Sequence, residues 1–184
     1  VASRFPDAEI GLNVLRNDGC SALAIAAATD ASFIRVNVLS GARLTDQGII
    51  QGIAHDLLRL RKELSAESVA ILADVDVKHS ASLAEQPFAH EIEDVIQRGH
   101  ADAIIVSGNA TGTSVDNSQL AEAVEVAGST PVFIGSGATA ESIRKSASQA
   151  SGFIVGTSVK HDGIVHKPVD KERVKEIVLA TMQR

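Results

Sequence analysis

The sequence has no tryptophan and no tyrosine, and phenylalanine supplies its entire 3% aromatic content. That removes the stacking platforms on which single-stranded nucleic acid is usually gripped. Basic residues are also short: 17 Lys and Arg face 23 Asp and Glu, for a formal net charge of −6. No Lys/Arg run appears, so an electrostatic nucleic-acid footprint is not expected. The lone cysteine, Cys20, excludes an internal disulfide and suits a reducing compartment. Its apolar neighbours make it a small buried or capping residue rather than a nucleophile. No apolar stretch reaches spanning length, since "ALAIAAAT" is too short, and no signal peptide is recognisable. A cytoplasmic protein is therefore expected. The six histidines form neither HExxH nor a paired pattern, so no metal site is expected. A Walker lysine, GxGxxG and the GxSxG elbow are missing too, and no cofactor is clearly implied. The chain opens on Val1 rather than methionine, which reads as a fragment.

What is present is alternation. With 184 residues, 45% of them hydrophobic, the chain suits one domain over 1–184. The apolar, β-branched runs "IGLNVL", "FIRVNVL", "VAILADVDV", "AIIVSG", "VFIGSG" and "FIVGTS" predict buried parallel strands. Helical patterns separate them: "CSALAIAAAT", "IIQGIAHDLLRLRKEL", "AHEIEDVIQRG", "NSQLAEAVEVAG", "AESIRKSASQAS" and "KERVKEIVLATMQ". Asp116 with Gln119 resembles a capping box, Thr139 and Asp170 are expected N-caps, and Gly99 and Gly128 stop signals.

Such repeats fit either a doubly wound sheet or a barrel. Two details favour a parallel (β/α)8 TIM barrel. Polar residues recur inside strands at period two: Asn13; Arg35 and Asn37; Asp74 and Asp76. Those positions point away from the helices, towards a barrel's lumen and catalytic mouth. Glycine-rich ends also fall on the last two strands, "GSGAT" and "VGTS", where barrels commonly bind phosphate. If these are strands seven and eight, the first two βα units are lacking, and the chain holds the C-terminal six.

Charge inside a strand needs a partner or a ligand. Arg35 and Asp74 therefore either pair with each other or share a ligand. Asn37, Asp76, Lys78 and His79 stand at strand ends, where acid–base chemistry sits in this architecture, although a solvated loop pair at Lys78 and His79 would look the same. Asn13, Arg16, Asn17 and Asp18 form a second polar segment. Asp46 and Gln47 form a third, either capping the next helix or lining the mouth, with Asp46 expected to cap. At "GSGAT" and "VGT" either tight turns or an anion site would explain Gly135, Ser136, Gly137, Gly156 and Thr157.

The segments "GLNVLRNDG", "FIRVNVLSGARLTDQGII", "ILADVDVKHSASL", "SGNATG", "PVFIGSGAT" and "VGTSVKHDG" resemble the BtpA/SgcQ family. The resemblance covers essentially the whole chain and implies a TIM barrel with a further N-terminal segment. It implies little chemistry; the family's named member is a photosystem I biogenesis factor, and cyanobacterial members are tied to the thylakoid. By that analogy alone a peripheral membrane association is implied. Its polar motif falls here on Asn13, Arg16, Asn17, Asp18, Arg35, Asn37, Asp46, Gln47, Asp74, Lys78 and His79. Its glycines fall on Gly108, Gly112, Gly135, Gly137 and Gly156. Asp76 departs from the motif, which commonly has an apolar residue there.

Together these readings give an expected enzyme of unknown reaction that binds a small phosphorylated ligand. Asn37, Asp74, Lys78 and His79 would act at the reacting end, and Asn13, Arg16, Asn17, Arg35 and Gln47 would bind substrate. The alternative is a non-catalytic photosystem I biogenesis or stability factor. A homo-oligomer is compatible with either.

Overall fold

The structure is a computed structural model that describes residues 1–76, 80–84, 86–107 and 116–182. The backbone forms two compact units, Val1–Ile104 and Ile105–Arg184.

In the first unit the chain runs β1 (Gly11–Leu12), α1 (Gly19–Thr29), β2 (Phe33–Val36), β3 (Ala42–Thr45) and β4 (Gly48–Gln51). It continues through α2 (Ala54–Glu63), β5 (Ala70–Val75), β6 (Ser80–Ser82) and α3 (Phe88–Glu93) into a π-helical turn, Asp94–Arg98. Strand β7 (Ala103–Ser107) crosses the boundary, and the second unit adds α4 (Asn117–Ala127), β8 (Val132–Gly135), α5 (Ala140–Ser146), β9 (Gly152–Ile154) and α6 (Lys171–Thr181).

Strands β1, β2, β5, β7, β8 and β9 hydrogen-bond in that order. The pairs β1–β2, β2–β5 and β8–β9 are parallel. Among the described strands the order follows the chain without reversal, and none of them makes a switch point of the doubly wound kind. This is α/β architecture of the (β/α)8 barrel type, as the alternation predicts. Each strand of the sheet coincides with one of the six apolar runs, and β1 and β9 stand at the ends of the order.

Close packing explains two of the glycines. Gly11 is the register partner of Phe33, and a Cβ there would lie 2.0 Å from the Phe33 ring. Gly152 faces Phe133 in the same way, with its Cβ position 2.5 Å from that ring. In both cases a phenyl ring covers a bare backbone on the neighbouring strand.

A second, antiparallel sheet of order β4-β3-β6 is absent from the sequence expectation. Residues 49–51, expected to open a long helix, instead pair with β3 through a hairpin in which Thr45 opposes Gly48. Helix α2 starts only at Ala54, after Ile53. The expected role of Asp46 is thereby corrected. It sits in the hairpin turn, and its carboxylate accepts from Arg16 Nη1 at 2.6 Å rather than capping a helix. The reason is local: Gly48 takes a φ of 92° at no steric cost, so the turn closes before a helix can begin.

The other caps are mostly as expected. Thr139 and Ser142 form a reciprocal capping box, and Asp170 accepts from Glu172 N at 2.9 Å. Asp116 caps α4 through Ser118 N rather than forming a box with Gln119. Gly128 ends α4 with a φ of 58°, whereas Gly99 follows the π turn in ordinary right-handed geometry. No described helix is long and apolar enough to cross a membrane.

Candidate functional site

The first unit holds a cavity of about 330 Å³ where β2 and β5 end. Strand β2 delivers Asn37 one residue past its last hydrogen-bonded position, and β5 delivers Asp74. Period-two alternation puts both on the face opposite the buried Val36 and Ala73 side chains. Asp74 is 5% exposed and Asn37 8%.

The expected Arg35–Asp74 pair is present and bidentate. Arg35 Nη2 donates to Asp74 Oδ1 at 2.9 Å and to Oδ2 at 3.1 Å, while Nε donates to Oδ1 at 3.1 Å. Asn37 Nδ2 adds a short hydrogen bond to Oδ2. Burial nonetheless pushes the Asp74 pKa up, because desolvation outweighs the help of Arg35 and Asn37. Since Asn37 must present its NH₂ to the carboxylate, its Oδ1 faces elsewhere. That buried oxygen has no partner among the described residues.

Three residues on the other wall complete the site. Arg43, on the central strand of the antiparallel sheet, is 8% exposed. Its Nη1 meets Asp76 Oδ1 at 3.0 Å, and its Nη2 bonds Glu91 on α3. Asp76 holds a φ of 56°, a left-handed conformation that Asp tolerates better than most residues. Burial raises the Glu91 pKa; Arg43 opposes this and Asp76 adds to it. A carboxyl with a raised pKa on a cavity wall is suited to exchange protons. The π turn following α3 lines the cavity through Asp94 and Val95, and such turns concentrate at functional sites.

Arg43 and Glu91 did not emerge from the sequence reading. The available signal was "ARLTDQGIIQ", two short segments joined by the pair Asp46-Gln47 and followed at once by Gly48, which is a hairpin pattern.

Other predicted residues tie the backbone together. Asn13 Nδ2 donates to Arg35 O at 2.9 Å. Asn17 accepts from Val38 N at 2.7 Å and donates to Val38 O at 2.9 Å, completing that residue's backbone pairing. Asp18 caps α1, accepting from Ser21 N at 3.0 Å, which lowers its pKa. Arg16 bonds Asp46, and Gln47 is exposed in the hairpin turn. Cys20 is partly buried, and desolvation raises its pKa, so its thiol is not activated. Lys78, His79, Gly108 and Gly112 lie outside the described residues. Among the described residues no group of three or more His, Cys, Asp or Glu is arranged to hold a metal ion.

In the second unit the turn after β8 carries positive φ at Ser136 (63°) and Gly137 (69°). Ser158 Oγ donates to Ala138 O at 2.5 Å, and Arg173 of α6 donates to Ser158 O at 3.0 Å. Arg173 is a cation near these turns that the sequence reading missed. A hollow lined by Ser136, Gly137 and Ser142 measures about 10 Å³, roughly one water. Gly156 has an ordinary φ of −132°, and a Cβ there would meet nothing within 4 Å.

The chain matches the BtpA family over residues 6–183. It is 50% identical over 173 residues to the Photosystem I biogenesis protein BtpA of Synechocystis, covering 94% of this chain and 60% of that protein. An uncharacterized protein of Thermococcus kodakarensis is 49% identical over 169 residues, 92% of this chain and 63% of the relative. The chain therefore spans about three fifths of the length of these relatives. Among solved structures, N-(5'-phosphoribosyl)anthranilate isomerase from Pyrococcus furiosus gives a TM-score of 0.62 at 17% identity, covering 97% of this chain and 76% of that one. A native KDPGal structure gives 0.63 at 14% identity, covering 99% and 73%. Likeness at these identities concerns the fold, which is that of TIM barrels. By the family match and the identities to its relatives, the chain belongs to the BtpA family.

Proposed function

We propose that this chain carries the site of a TIM-barrel enzyme that binds a small phosphorylated metabolite at the C-terminal strand ends. One observation carries the reading: a cavity of about 330 Å³, within the range of small-molecule sites, is lined by the buried charged residues Asp74 and Arg43 and by buried Asn37. Within the first unit, Asn37 and Glu91 line this cavity as the groups that would act on a bound molecule, and Asp74, held by Arg35, orients Asn37. Lys78 and His79, which follow β5 in the chain, would supply the acid–base or electrophilic groups. Asn13, Arg16, Asn17 and Gln47 shape the surrounding loops. Taken by itself, the second unit has a left-handed Ser136–Gly137 turn and open space over Gly156, which support backbone donors for a phosphate together with Ser136 and Thr157. The chemistry fits a cytoplasmic enzyme.

The test is thermal stability of the full-length protein against a panel of phosphorylated metabolites, with Gly137→Val as the variant. A ligand at a hundredfold its Kd stabilises by about 2.7 kcal/mol, a readable rise in Tm. Wild type should rise with at least one member. Gly137→Val should lose that rise and the backbone amide shifts at 136–139. A flat panel would overturn the reading.

A second reading draws on the name of the Synechocystis relative, an assembly or stability role in photosystem I biogenesis. It is favoured by exposed apolar residues on and just beyond the antiparallel sheet: the register partners Leu44 and Ile49 are 49% and 59% exposed, and Leu83, which follows β6, is 52%. Leu44→Lys with Ile49→Lys should abolish association with photosystem I components while leaving ligand stabilisation intact.

A further inference from the structure

We propose that the face of the antiparallel sheet turned away from Arg43 docks against the same face of a second copy of this chain. The inference rests on the composition and exposure of that face, and on neither functional reading above.

Register fixes which side chains share the face. Leu44 on β3 opposes Ile49 on β4 and Ala81 on β6, and directly opposed residues of antiparallel strands stand on one side of a sheet. The three make a row across all three strands, and each is exposed. Arg43, Ile50 and Ser82 make the neighbouring row. The strand period of two turns that row to the opposite side, where buried Arg43 lines the cavity. An antiparallel sheet with one side in water normally carries polar residues there. Here the outward row is isoleucine, leucine and alanine.

Charge selects the occupant. The three strands read ARLT, GIIQ and SAS, and their one charged residue, Arg43, belongs to the other side. Asp46, in the turn between β3 and β4, is neutralised by Arg16 at 2.6 Å. The face and its turn therefore offer no unpaired charge to a charged partner, and no cations to an anionic lipid or nucleic-acid surface. An uncharged face is complementary to itself. A twofold axis through the row would set Leu44 of one copy near Leu44 of the other, with Ile49 of each over Ala81 of its neighbour, large against small. A row this short suits a reversible dimer rather than an obligate one.

Sedimentation velocity of the full-length protein across micromolar concentrations should show a monomer–dimer equilibrium. Leu44→Lys puts a charge on the face twice in each dimer and should raise the dissociation constant at least about tenfold. Glu63→Gln, exposed at the end of α2, changes the net charge equally and should leave that constant within about twofold. A second readout is thiol labelling of Leu44→Cys in a Cys20→Ser background. Labelling at position 44 should slow as protein concentration rises, in step with the dimer fraction.

Labelling that stays fast at every concentration would overturn the inference, because the face is then open to water. Labelling that is slow at every concentration would overturn it too, since the full-length chain then covers its own face. A monomer whose labelling slows only when photosystem I components are added would sink the inference and leave the second reading above standing. A dimer that Leu44→Lys does not weaken is built on another surface and counts equally against it.

Discussion

Arg43 and Asp76 meet at 3.0 Å, although 33 residues of chain separate them. The contact exists because a hairpin folds β3 over the end of β5, and because Asp76 turns its backbone into the left-handed region to reach it. Glu91 binds the same guanidinium from α3. Removing Arg43 would leave two carboxylates facing each other in a largely buried site. Arg43→Leu should cost on the order of 3–5 kcal/mol in urea unfolding. Adding Asp76→Asn and Glu91→Gln should restore most of it. A single-variant loss below about 1 kcal/mol would mean that water already solvates the trio.

Asp74 is the better-sealed carboxylate, with a side chain 3% exposed against 24% for Arg35. Asp74→Leu strips three hydrogen bonds from Arg35 and one from Asn37. We expect a loss approaching 3–5 kcal/mol, tempered by water reaching Arg35. Asp74→Asn keeps the shape but not the charge and should cost more than about 1 kcal/mol. Equilibrium denaturation of both variants checks the ranking.

The pH dependence follows from Glu91. Its folded-state pKa is raised, first by burial, so between the ordinary carboxylate pKa and the raised value the folded protein holds more protons than the unfolded chain. Stability from this group is therefore greatest at the acidic side of that window, falls as pH rises through it, and is flat above. Asp74 has the same sign; exposed Asp18, whose pKa is lowered, has the opposite one. Glu91→Gln removes one falling contribution, so the difference between variant and wild type should grow with pH across the window. A difference independent of pH would contradict the shift.

Packing over bare glycine gives a prediction away from the site. A valine at Gly152 would drive Cβ to 2.5 Å from Phe133, and the ring must leave its place on β8. Gly152→Val should lower stability by about 1–3 kcal/mol, as overpacking does. Combining it with Phe133→Ala should relieve the clash but leave a cavity, so the double variant should fall short of wild type. Thermal unfolding of the three proteins measures the coupling.

What the sequence determined by itself was local or periodic. Each parallel strand could be read from a β-branched apolar run, because a strand buried on both faces needs such residues wherever it lies. The Arg35–Asp74 pair was legible for a related reason. A charge placed between Val36 and Ile34, or between Ala73 and Val75, stands among buried apolar neighbours with little water around it and gains from finding its opposite. Caps at Thr139 and Asp170 were equally local, since each serves a backbone N–H two or three residues away. Tertiary structure decided the rest. Residues 49–51 carry a pattern that continues into α2, yet they pair with β3, because β3 offers hydrogen bonds that an isolated first helical turn cannot match. That pairing carries Arg43 to the cavity wall, where Glu91, 48 residues later, completes the site. No periodicity in the chain encodes a meeting at that separation. It depends on where a hairpin and a helix are brought by the burial of their apolar faces, and so this wall of the cavity became visible only in the folded protein.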